Sequence, residues 1–329
     1  MKVLVVNPVE VRQLLLMNEC IPIMEQALMN LGRGEGINPL RPVMFLPEKV
    51  GALGMMPAYL GEPPAMGAKI VSVMPKNYGT KYDSHQGVVL LFENEHGSLL
   101  AMVDASEITA IRTAAVSAVA TRLLARSDAS DLAIIGSGVQ GASHLEAMLL
   151  ARPIDRIRIW SKTGSNSQLF SEREGAKFTR HIEVMPSIEA AVDGADIICT
   201  TTMAPQPILK GDWLAPGVHI NAVGSSIKST RELDTAAVVK SRLFVDRRES
   251  TLNEAGDFLF PKAEGAINDD HIQGELGEIL LGQIKGRKTV EEITLFKSLG
   301  LGVEDIASAF HIYEKAQQSG TGTWIDWSS

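Results

Sequence analysis

The sequence predicts an α/β protein in which a doubly wound parallel sheet is inserted into a discontinuous α+β domain. Short apolar strands alternate with amphipathic stretches from Asp131 onward, which is the rhythm of such a sheet. One of these strands runs directly into a glycine-rich turn. The chain has 329 residues, more than the roughly 100 to 200 of one ordinary domain, so two cores are expected.

The first domain is predicted to mix strands with two long helices. A helix is predicted within MNECIPIMEQALMNLGRGEG, where Asn18 can cap the start, Pro22 can occupy the first turn, and Gly32 with Gly34 can end it. A second, alanine-rich helix opens at Ser106. Period-two or short apolar runs predict strands at Val3–Val6, Val43–Leu46, Gly67–Met74 and Gly87–Glu93.

The second domain is predicted from a series of apolar runs in the order LAIIG, IRIW, ADIICTTT, GVHINAVG and LFVD. An amphipathic stretch after residue 300 forms a last helix that returns to the first domain. We therefore expect a first domain of residues 1–122 plus 300–329 and a dinucleotide-binding domain of residues 123–299.

Composition excludes several classes of protein. The net charge of -8 and pI near 5.5 argue against a nucleic-acid or anionic-membrane partner, because both need a dense positive surface. No apolar run approaches the roughly 20 residues of a membrane span, and no signal-peptide core develops after Met1. The two cysteines, Cys20 and Cys199, lack the spacing of a metal site or a disulfide framework. A cytoplasmic protein without a metal is expected.

A dinucleotide site is predicted at the glycines Gly136, Gly138 and Gly141. They form G-x-G-x-x-G between the strand Leu132–Ile135 and the helical run Ala142–Leu150. This Rossmann pattern needs one glycine for a tight turn, one for backbone approach to the pyrophosphate and one for close helix packing. The alternative is a glycine-rich turn that binds nothing.

The residues after the second Rossmann strand predict the cofactor. An Asp or Glu there would bind the ribose 2′-hydroxyl of NAD. This chain has Ser161, Lys162 and Thr163, which suit a 2′-phosphate and leave no carboxylate to repel it, so NADP(H) is preferred over NAD(H). The alternative is that Lys162 is an ordinary surface lysine.

Cations on apolar faces of the first domain predict an anion site. Lys69 alternates in phase with Val71 and Val73, and Arg112 lies at helical spacing from Ile108 and Val116. A buried charge needs a partner. A substrate carboxylate is one partner, and arginine binds it in a bidentate way while a desolvated lysine can donate a proton. The alternatives are a structural ion pair or a lysine that reaches water.

Three further positions are weaker candidates. Arg41 is in phase with Val43 and Phe45 and is a possible third cation. His85 precedes a strand and could face the same pocket. Thr200 to Thr202 follow an apolar strand, where a dinucleotide's nicotinamide half is expected.

Taken together, the stretches GAKIVSVMPKN, HQGVVLLFE, ITAIRTAAVSAVAT, GSGVQG, HINAVG, ELGEI and LFKSLG with VED following resemble the ornithine cyclodeaminase and mu-crystallin family. The resemblance runs in order from about residue 10 to about residue 315. It implies a Rossmann domain inserted into a discontinuous substrate-binding and dimerisation domain, and therefore a homodimer.

The resemblance also implies roles for individual residues. Lys69 and Arg112 would be catalytic and would engage a small carboxylate-bearing substrate, with Lys69 near the reacting nitrogen. The substrate-binding set would be Arg41, Lys69, Arg112 and Leu299. His85 is added to it from its place before a strand, from which it could face the pocket. The cofactor-binding set implied by the resemblance is Thr113, Gly138, Val139, Gln140, Ser161, Lys162, Thr163, Thr201, Val223 and Ser298, and the motif adds Gly136 and Gly141.

Two departures from the family's cyclodeaminases favour the mu-crystallin, or ketimine reductase, branch. The family's cyclodeaminases carry an Asp in a stretch like G-x-D-x-P-G-K, and here the stretch is GSSIKST with Ser226 in place of that Asp. The acidic residue that they have after the second Rossmann strand is also missing. We expect NADPH-dependent reduction of a cyclic ketimine or an α-imino acid to the amino acid. The alternatives are an ornithine cyclodeaminase-type ammonia lyase, an alanine or other amino-acid dehydrogenase, and a non-catalytic NADPH- and ligand-binding protein.

Overall fold

The computed structural model describes residues 2–77 and 80–327. Its contacts divide the chain into two compact units, Met1–Arg112 with Leu301–Ser329 and Thr113–Gly300. The division falls inside a long helix, at the bond between Arg112 and Thr113.

Strands and helices are numbered in chain order. The strands are β1 (Lys2–Val6), β2 (Gly36–Ile37), β3 (Val43–Phe45), β4 (Ala52–Leu60), β5 (Ala65–Val73), β6 (His85–Phe92), β7 (Leu99–Asp104), β8 (Asp131–Ile135), β9 (Arg156–Trp160), β10 (Glu183–Val184), β11 (Ile197–Thr200), β12 (His219–Ala222), β13 (Ser241–Val245), β14 (Ile272–Glu275), β15 (Ile293–Lys297) and β16 (Thr323–Asp326). The helices are α1 (Pro8–Leu14), α2 (Met17–Gly32), α3 (Ala105–Leu124), α4 (Val139–Ala151), α5 (Gly164–Phe178), α6 (Ile188–Val192), α7 (Thr235–Lys240), α8 (Arg248–Glu254), α9 (Gly256–Ala263), α10 (Leu276–Leu280) and α11 (Gly302–Ser319).

The first unit is built on a mixed sheet in the order β16-β1-β7-β6-β5-β4-β2, with β3 also paired to β4. Only the β1–β7 pair is parallel among the described strands of this sheet. Helix α11 packs against β4 to β7 and against α2. The predicted strands at β1, β3, β5 and β6 are confirmed, and all four belong to this sheet.

The two faces of this sheet differ in exposure. On β4, Gly54, Met56 and Ala58 are buried while Leu53, Met55 and Tyr59 alternate with them and are exposed. The alternation follows from the period of two in a strand. The buried face carries α11, and the other face presents apolar side chains to solvent.

The predicted start of the first long helix is wrong. Helix α2 begins at Met17, so Asn18 lies within its first turn and Leu16 occupies the capping position without a side-chain hydrogen bond. Pro22 lies beyond the first turn, inside the helix. The buried Met17 and Cys20 explain the shift, because packing of the apolar face outweighs the energy of one cap.

The second unit contains an eight-stranded sheet in the order β10-β9-β8-β11-β12-β15-β13-β14. Every pair in it is parallel. The chain proceeds from β8 outward through β9 and β10, then returns to the other side of β8 at β11. This is a doubly wound Rossmann sheet, and the predicted fold class is confirmed. Its ligand crevice is expected at the reversal between β8 and β11.

Neither unit offers a membrane span: among the residues described, none of the helices is both long and apolar enough to cross a bilayer.

Candidate active site

The glycine turn joins β8 to α4 in the geometry that the motif requires. Gly136 has a φ of +119°, and an added Cβ would lie 2.7 Å from Thr201 Oγ1. A Cβ on Gly141 would lie 2.1 Å from the Gly136 carbonyl oxygen, so the helix can approach the turn only without a side chain there. A Cβ on Gly138 would meet nothing within 4 Å. The turn is therefore closed on the protein side and open at Gly138, where a ligand's phosphates would lie.

Helix α4 directs its amino terminus at this open position. Gly138 is its N-cap residue and has no side chain that could accept a hydrogen bond from the first N–H groups of the helix. These groups are therefore available to an external acceptor. Val139 follows and is 68% exposed, while Gln140 is half-buried. The Gln140 carbonyl contacts Nδ1 of the buried His144 at 2.7 Å, and His144 Nε2 contacts Ser117 Oγ at 2.9 Å. Burial lowers the pKa of His144 to about 4.

Four strands of the second unit end in register beside this turn. Ile135 pairs with Thr200, Thr200 with Ala222, and Ala222 with Lys297. The residues that follow these strand ends therefore form one row at the carboxyl edge of the sheet: Gly136, Thr201, Val223 and Ser298. Thr201, Val223 and Ser298 were each predicted to approach the cofactor, and the strand register places the three side by side.

Two further predicted residues of this unit, Thr113 and Leu299, are buried. Thr113 is 7% exposed and Leu299 is 5% exposed. The Leu299 and Gly300 N–H groups both donate to Asp246 Oδ2, at 2.6 and 2.8 Å. Asp246 therefore fixes the turn that carries Ser298 and Leu299, a role that sequence reasoning missed.

The three residues after β9 lie at the amino terminus of α5. Thr163 is the N-cap residue, and Lys162 and Thr163 are exposed. Ser161 Oγ donates to the Thr163 carbonyl at 2.9 Å and contacts Ser167 Oγ at the same distance. A lysine, hydroxyls and the start of a 15-residue helix meet here. Such a set favours a phosphate.

Lys69 and Arg112 meet in the first unit around two acids of α11. Lys69 Nζ lies 2.8 Å from Asp305 Oδ2 and 3.3 Å from Thr109 Oγ1. Arg112 Nε contacts Asp305 Oδ1 at 3.0 Å, and its Nη1 contacts Glu304 Oε2 at 2.7 Å. All four charged side chains are at most 4% exposed. The predicted burial of both cations is confirmed. Their contacts are ion pairs with acids of the protein, which is the structural alternative that the sequence left open.

The electrostatic setting of Lys69 suits proton transfer. Burial lowers the pKa of Lys69 to about 8, against the opposing attraction of Asp305, and the Arg112 charge lowers it further. An ammonium with this pKa is charged at neutral pH and gives up its proton more readily than an exposed lysine.

Glu304 and Asp305 are functional candidates that sequence reasoning missed. They lie in the first turn of α11, between the buried residues Val303 and Ile306. Two adjacent acids at buried helix positions were the signal, since such acids need cationic partners. The VED stretch was noted only as part of a resemblance.

The position of Arg41 follows from the pairing of the segment after it with β4. Pro42 accepts a hydrogen bond from Met55 N, next to Met56, which pairs with Lys69. Arg41 precedes β3, and continuing this pairing toward it leads to the level of Met56 and Lys69; Arg41 is half-exposed. The argument that its strand face is buried is wrong, because Val43 and Phe45 are 41% and 75% exposed. That strand is short and pairs only with β4 within the described residues, so it has little cover.

His85 is on the Lys69 face of the sheet. It pairs with Val73, which alternates in phase with Lys69 on β5. His85 is exposed, yet partial desolvation and then the charge on Lys69 lower its pKa. Ser84 Oγ contacts its Nδ1 at 3.0 Å.

Comparisons with known proteins find relatives that match most or all of the chain. The mouse protein named ketimine reductase mu-crystallin is 41% identical over 297 residues, 89% of this chain and 91% of its own. The structure of Thermococcus litoralis Delta(1)-pyrroline-2-carboxylate reductase in complex with NADH and L-proline superposes with a TM-score of 0.95 at 38% identity, covering 97% of this chain and 99% of that one. An archaeal alanine dehydrogenase dimer with bound NAD has a TM-score of 0.93 at 29% identity and covers all of both chains.

A family model also matches nearly the whole chain. The sequence model of the ornithine cyclodeaminase/mu-crystallin family matches residues 1–320. This chain belongs to the ornithine cyclodeaminase/mu-crystallin family.

Proposed function

We propose that the chain is an NADPH-dependent reductase that converts a small imino acid, a cyclic ketimine or an α-imino acid, to the amino acid. The observation that carries the proposal is Lys69, a buried ammonium with its pKa lowered to about 8, on the unit that also carries Arg112. The names of the relatives support it, since two of them are reductases of C=N bonds.

The reaction adds a hydride to the imine carbon and a proton to the imine nitrogen. A bound nicotinamide supplies the hydride. Lys69 donates the proton, and Asp305 at 2.8 Å keeps its ammonium charged and oriented. Arg41 and Arg112 bind the substrate carboxylate, and the two acids of α11 fix the Arg112 guanidinium. Leu299 lines the pocket, and His85 lies at the rim of the Lys69 face.

The second unit provides the cofactor site in this proposal. Gly136, Gly138, Val139, Gln140 and Gly141 form the pyrophosphate cradle, which is open where a Cβ on Gly138 would stand. Ser161, Lys162 and Thr163 bind the 2′-phosphate and make NADPH the preferred cofactor. Thr113, Thr201, Val223 and Ser298 approach the nicotinamide half. Residues 1–122 with 300–329 then form the substrate domain and residues 123–299 the cofactor domain.

A substrate panel tests the proposal. Oxidation of NADPH and of NADH is followed by absorbance with five- and six-membered cyclic imino acids, with iminosuccinate, and with pyruvate plus ammonia. We expect turnover of at least one cyclic imino acid and a higher kcat/KM with NADPH. Silence across the panel with both cofactors would contradict the reductase assignment. Turnover of pyruvate plus ammonia alone would favour an amino-acid dehydrogenase.

A second candidate is the cyclodeaminase reaction, in which ornithine gives proline and ammonia with no net change in NADPH. The sequence speaks against it, because the half-buried Ser226 stands where the family's cyclodeaminases have an acid. Proline formed from ornithine at constant NADPH absorbance would establish it. A non-catalytic binding protein would bind NADPH and leave the whole panel unchanged.

We also propose that the chain forms a homodimer through the open face of the first sheet. Met44, Leu53, Met55 and Tyr59 expose apolar side chains there, between 37% and 57% of each. Such a patch marks an interaction surface, and the archaeal relative is a dimer. Sedimentation should show a dimer for the wild type and a monomer for Met55→Glu. A monomeric wild type would refute this assembly.

A further inference from the structure

Two loops at the carboxyl edge of the second sheet lie close together beyond the ends of their strands. One contains Thr201 and Thr202 after β11, and the other contains Val223 and Gly224 after β12. Their contact is tight: a Cβ on Gly224 would lie 2.1 Å from the Thr202 carbonyl oxygen and 2.4 Å from the Thr202 nitrogen. Backbone hydrogen bonds from the Val223 and Gly224 N–H groups to the Thr200 carbonyl, at 3.0 and 3.1 Å, join the second loop to the end of β11. A buried side chain adds the remaining connections, including those to Thr202.

Glu232 is the side chain that connects the two loops, and it is completely buried. Its Oε1 accepts hydrogen bonds from the Thr202 N–H and the Thr202 hydroxyl, both at 2.7 Å. Its Oε2 accepts from the Gly224 N–H at 2.7 Å and from the Thr200 hydroxyl at 2.8 Å. Each oxygen thus takes one backbone N–H from a different loop, and a single carboxylate joins the two.

Asp257 in turn fixes the backbone at Glu232. Asp257 Oδ1 accepts from the N–H groups of Glu232 and Leu233 at 2.8 and 3.0 Å. The other Asp257 oxygen lies 3.0 Å from Lys297 Nζ, and that ammonium donates to the Ala222 carbonyl at 3.2 Å. This chain of contacts ties Glu232 to the ends of β12 and β15, the strands that precede Val223 and Ser298.

We propose that Glu232 is a positioning residue, which holds the loops of Thr201 and Val223 in place for the nicotinamide half of the cofactor. The inference rests on the proposed function, because it assumes a nicotinamide dinucleotide in this unit. In a doubly wound sheet the first half, here β8 to β10, takes the adenosine side and the second half takes the other mononucleotide. Glu232 acts only on the second half.

The location gives a selective test. Equilibrium dissociation constants are measured for NADPH and for 2′-phospho-ADP-ribose, which differs from it only by lacking nicotinamide. For Glu232→Gln we expect NADPH binding to weaken about tenfold or more, with the affinity for 2′-phospho-ADP-ribose unchanged. NADH and ADP-ribose are measured in parallel, so that the result does not depend on which dinucleotide is preferred.

A matched control is Glu292→Gln. Glu292 accepts from Lys288 N at 2.7 Å and from Arg242 at 3.0 Å, and it precedes β15 at the amino edge of the same sheet. The same change of chemistry there should leave both affinities as in the wild type. If Glu232→Gln does not fold, Thr202→Val removes one hydroxyl donor to Glu232 and should give a smaller loss for NADPH alone.

Three outcomes would overturn the inference. They are an unchanged NADPH affinity in folded Glu232→Gln, an equal loss for NADPH and the nicotinamide-free compound, and an unchanged NADPH affinity in Thr202→Val when Glu232→Gln cannot be folded. A purely structural role would lower the melting temperature without a selective loss. Wild-type protein that binds neither dinucleotide would refute the proposed function and the inference with it, whereas the selective outcomes concern Glu232 alone.

Discussion

Replacing Asp305 with Asn removes the nearest negative charge from Lys69 while keeping the shape of the side chain. The two groups are 2.8 Å apart and almost fully buried. A charge pair at about 4 Å with an effective dielectric constant of about 20 is worth about 4 kcal/mol, or roughly three pKa units. Relaxation reduces this figure, so we expect the pKa of Lys69 to fall from about 8 by roughly one to three units.

The direction of the effect on activity follows from the role of Lys69. In the proposed reaction, imine reduction takes a proton from the Lys69 ammonium. The value of kcat/KM is then constant below the pKa of Lys69 and falls as the pH rises through it. In the wild type this fall is expected near pH 8. In Asp305→Asn it should move to roughly pH 5 to 7, and the rate should recover toward the wild-type value as the assay is made more acidic.

The assay is the initial rate of NADPH oxidation, measured across this pH range with one cyclic imino acid. Glu304→Gln is the matched control, because Glu304 contacts Arg112 and contributes least to the pKa of Lys69. Its profile should move less, and titration of the substrate would affect all three proteins alike. A midpoint in Asp305→Asn that stays near pH 8 or rises would refute the proton-donor role.

Three further predictions concern the cofactor and the stability of the second unit. Ser161→Asp should raise the KM for NADPH and lower that for NADH, because a carboxylate repels the 2′-phosphate; unchanged values for both would reject the assigned phosphate site. Burial lowers the pKa of His144 to about 4, below the roughly 6.5 of a free imidazole. Its contribution to stability is therefore complete above about pH 6.5 and is lost toward pH 4, by up to about 3 kcal/mol. As the pH falls from 6.5 to 4, the urea midpoint of His144→Gln should decrease less than that of the wild type. Equal decreases in the two proteins would contradict this contribution of His144. Arg152→Met should lower the free energy of unfolding by about 2 kcal/mol or more, because Arg152 Nη2 donates to the Thr121, Arg122 and Ala125 carbonyls at the end of α3. A melting temperature equal to that of the wild type would argue against this.

The fold class followed from local patterns, and its details did not. The parallel strands of the second unit are continuous apolar runs, which are easy to find because both faces of such a strand are buried. Strand β4 was missed. Its sequence ALGMMPAYL has apolar residues on both faces, since Met55 and Tyr59 lie on the exposed side, and so it lacks the alternation that indicates a half-buried strand.

The candidate site was predictable where a motif or a costly burial indicates it. The glycine turn needs specific residues at fixed spacing, and Lys69 in a run of valines needs a partner. The identity of that partner could not be derived, because Asp305 is 236 residues away and only the tertiary fold brings the two together. Glu232 and Asp246 were missed for the same reason, since their partners are mainly backbone N–H groups of loops whose positions no local pattern fixes.

The distance in sequence between Lys69 and its acid partner bears on how the protein is made. A ribosome completes β5 well before it reaches Asp305, and the nascent first unit then contains a lysine and an arginine destined for an apolar interior without their counter-ions. Strand β16, which pairs with β1, is synthesised later still. The amino-terminal segment therefore stays solvated and incompletely packed until residues 113–300 and then α11 have left the ribosome. Completion of the first unit is thus a late event of biosynthesis, and a chain stopped before residue 305 would expose two unneutralised cations to the quality-control machinery of the cell.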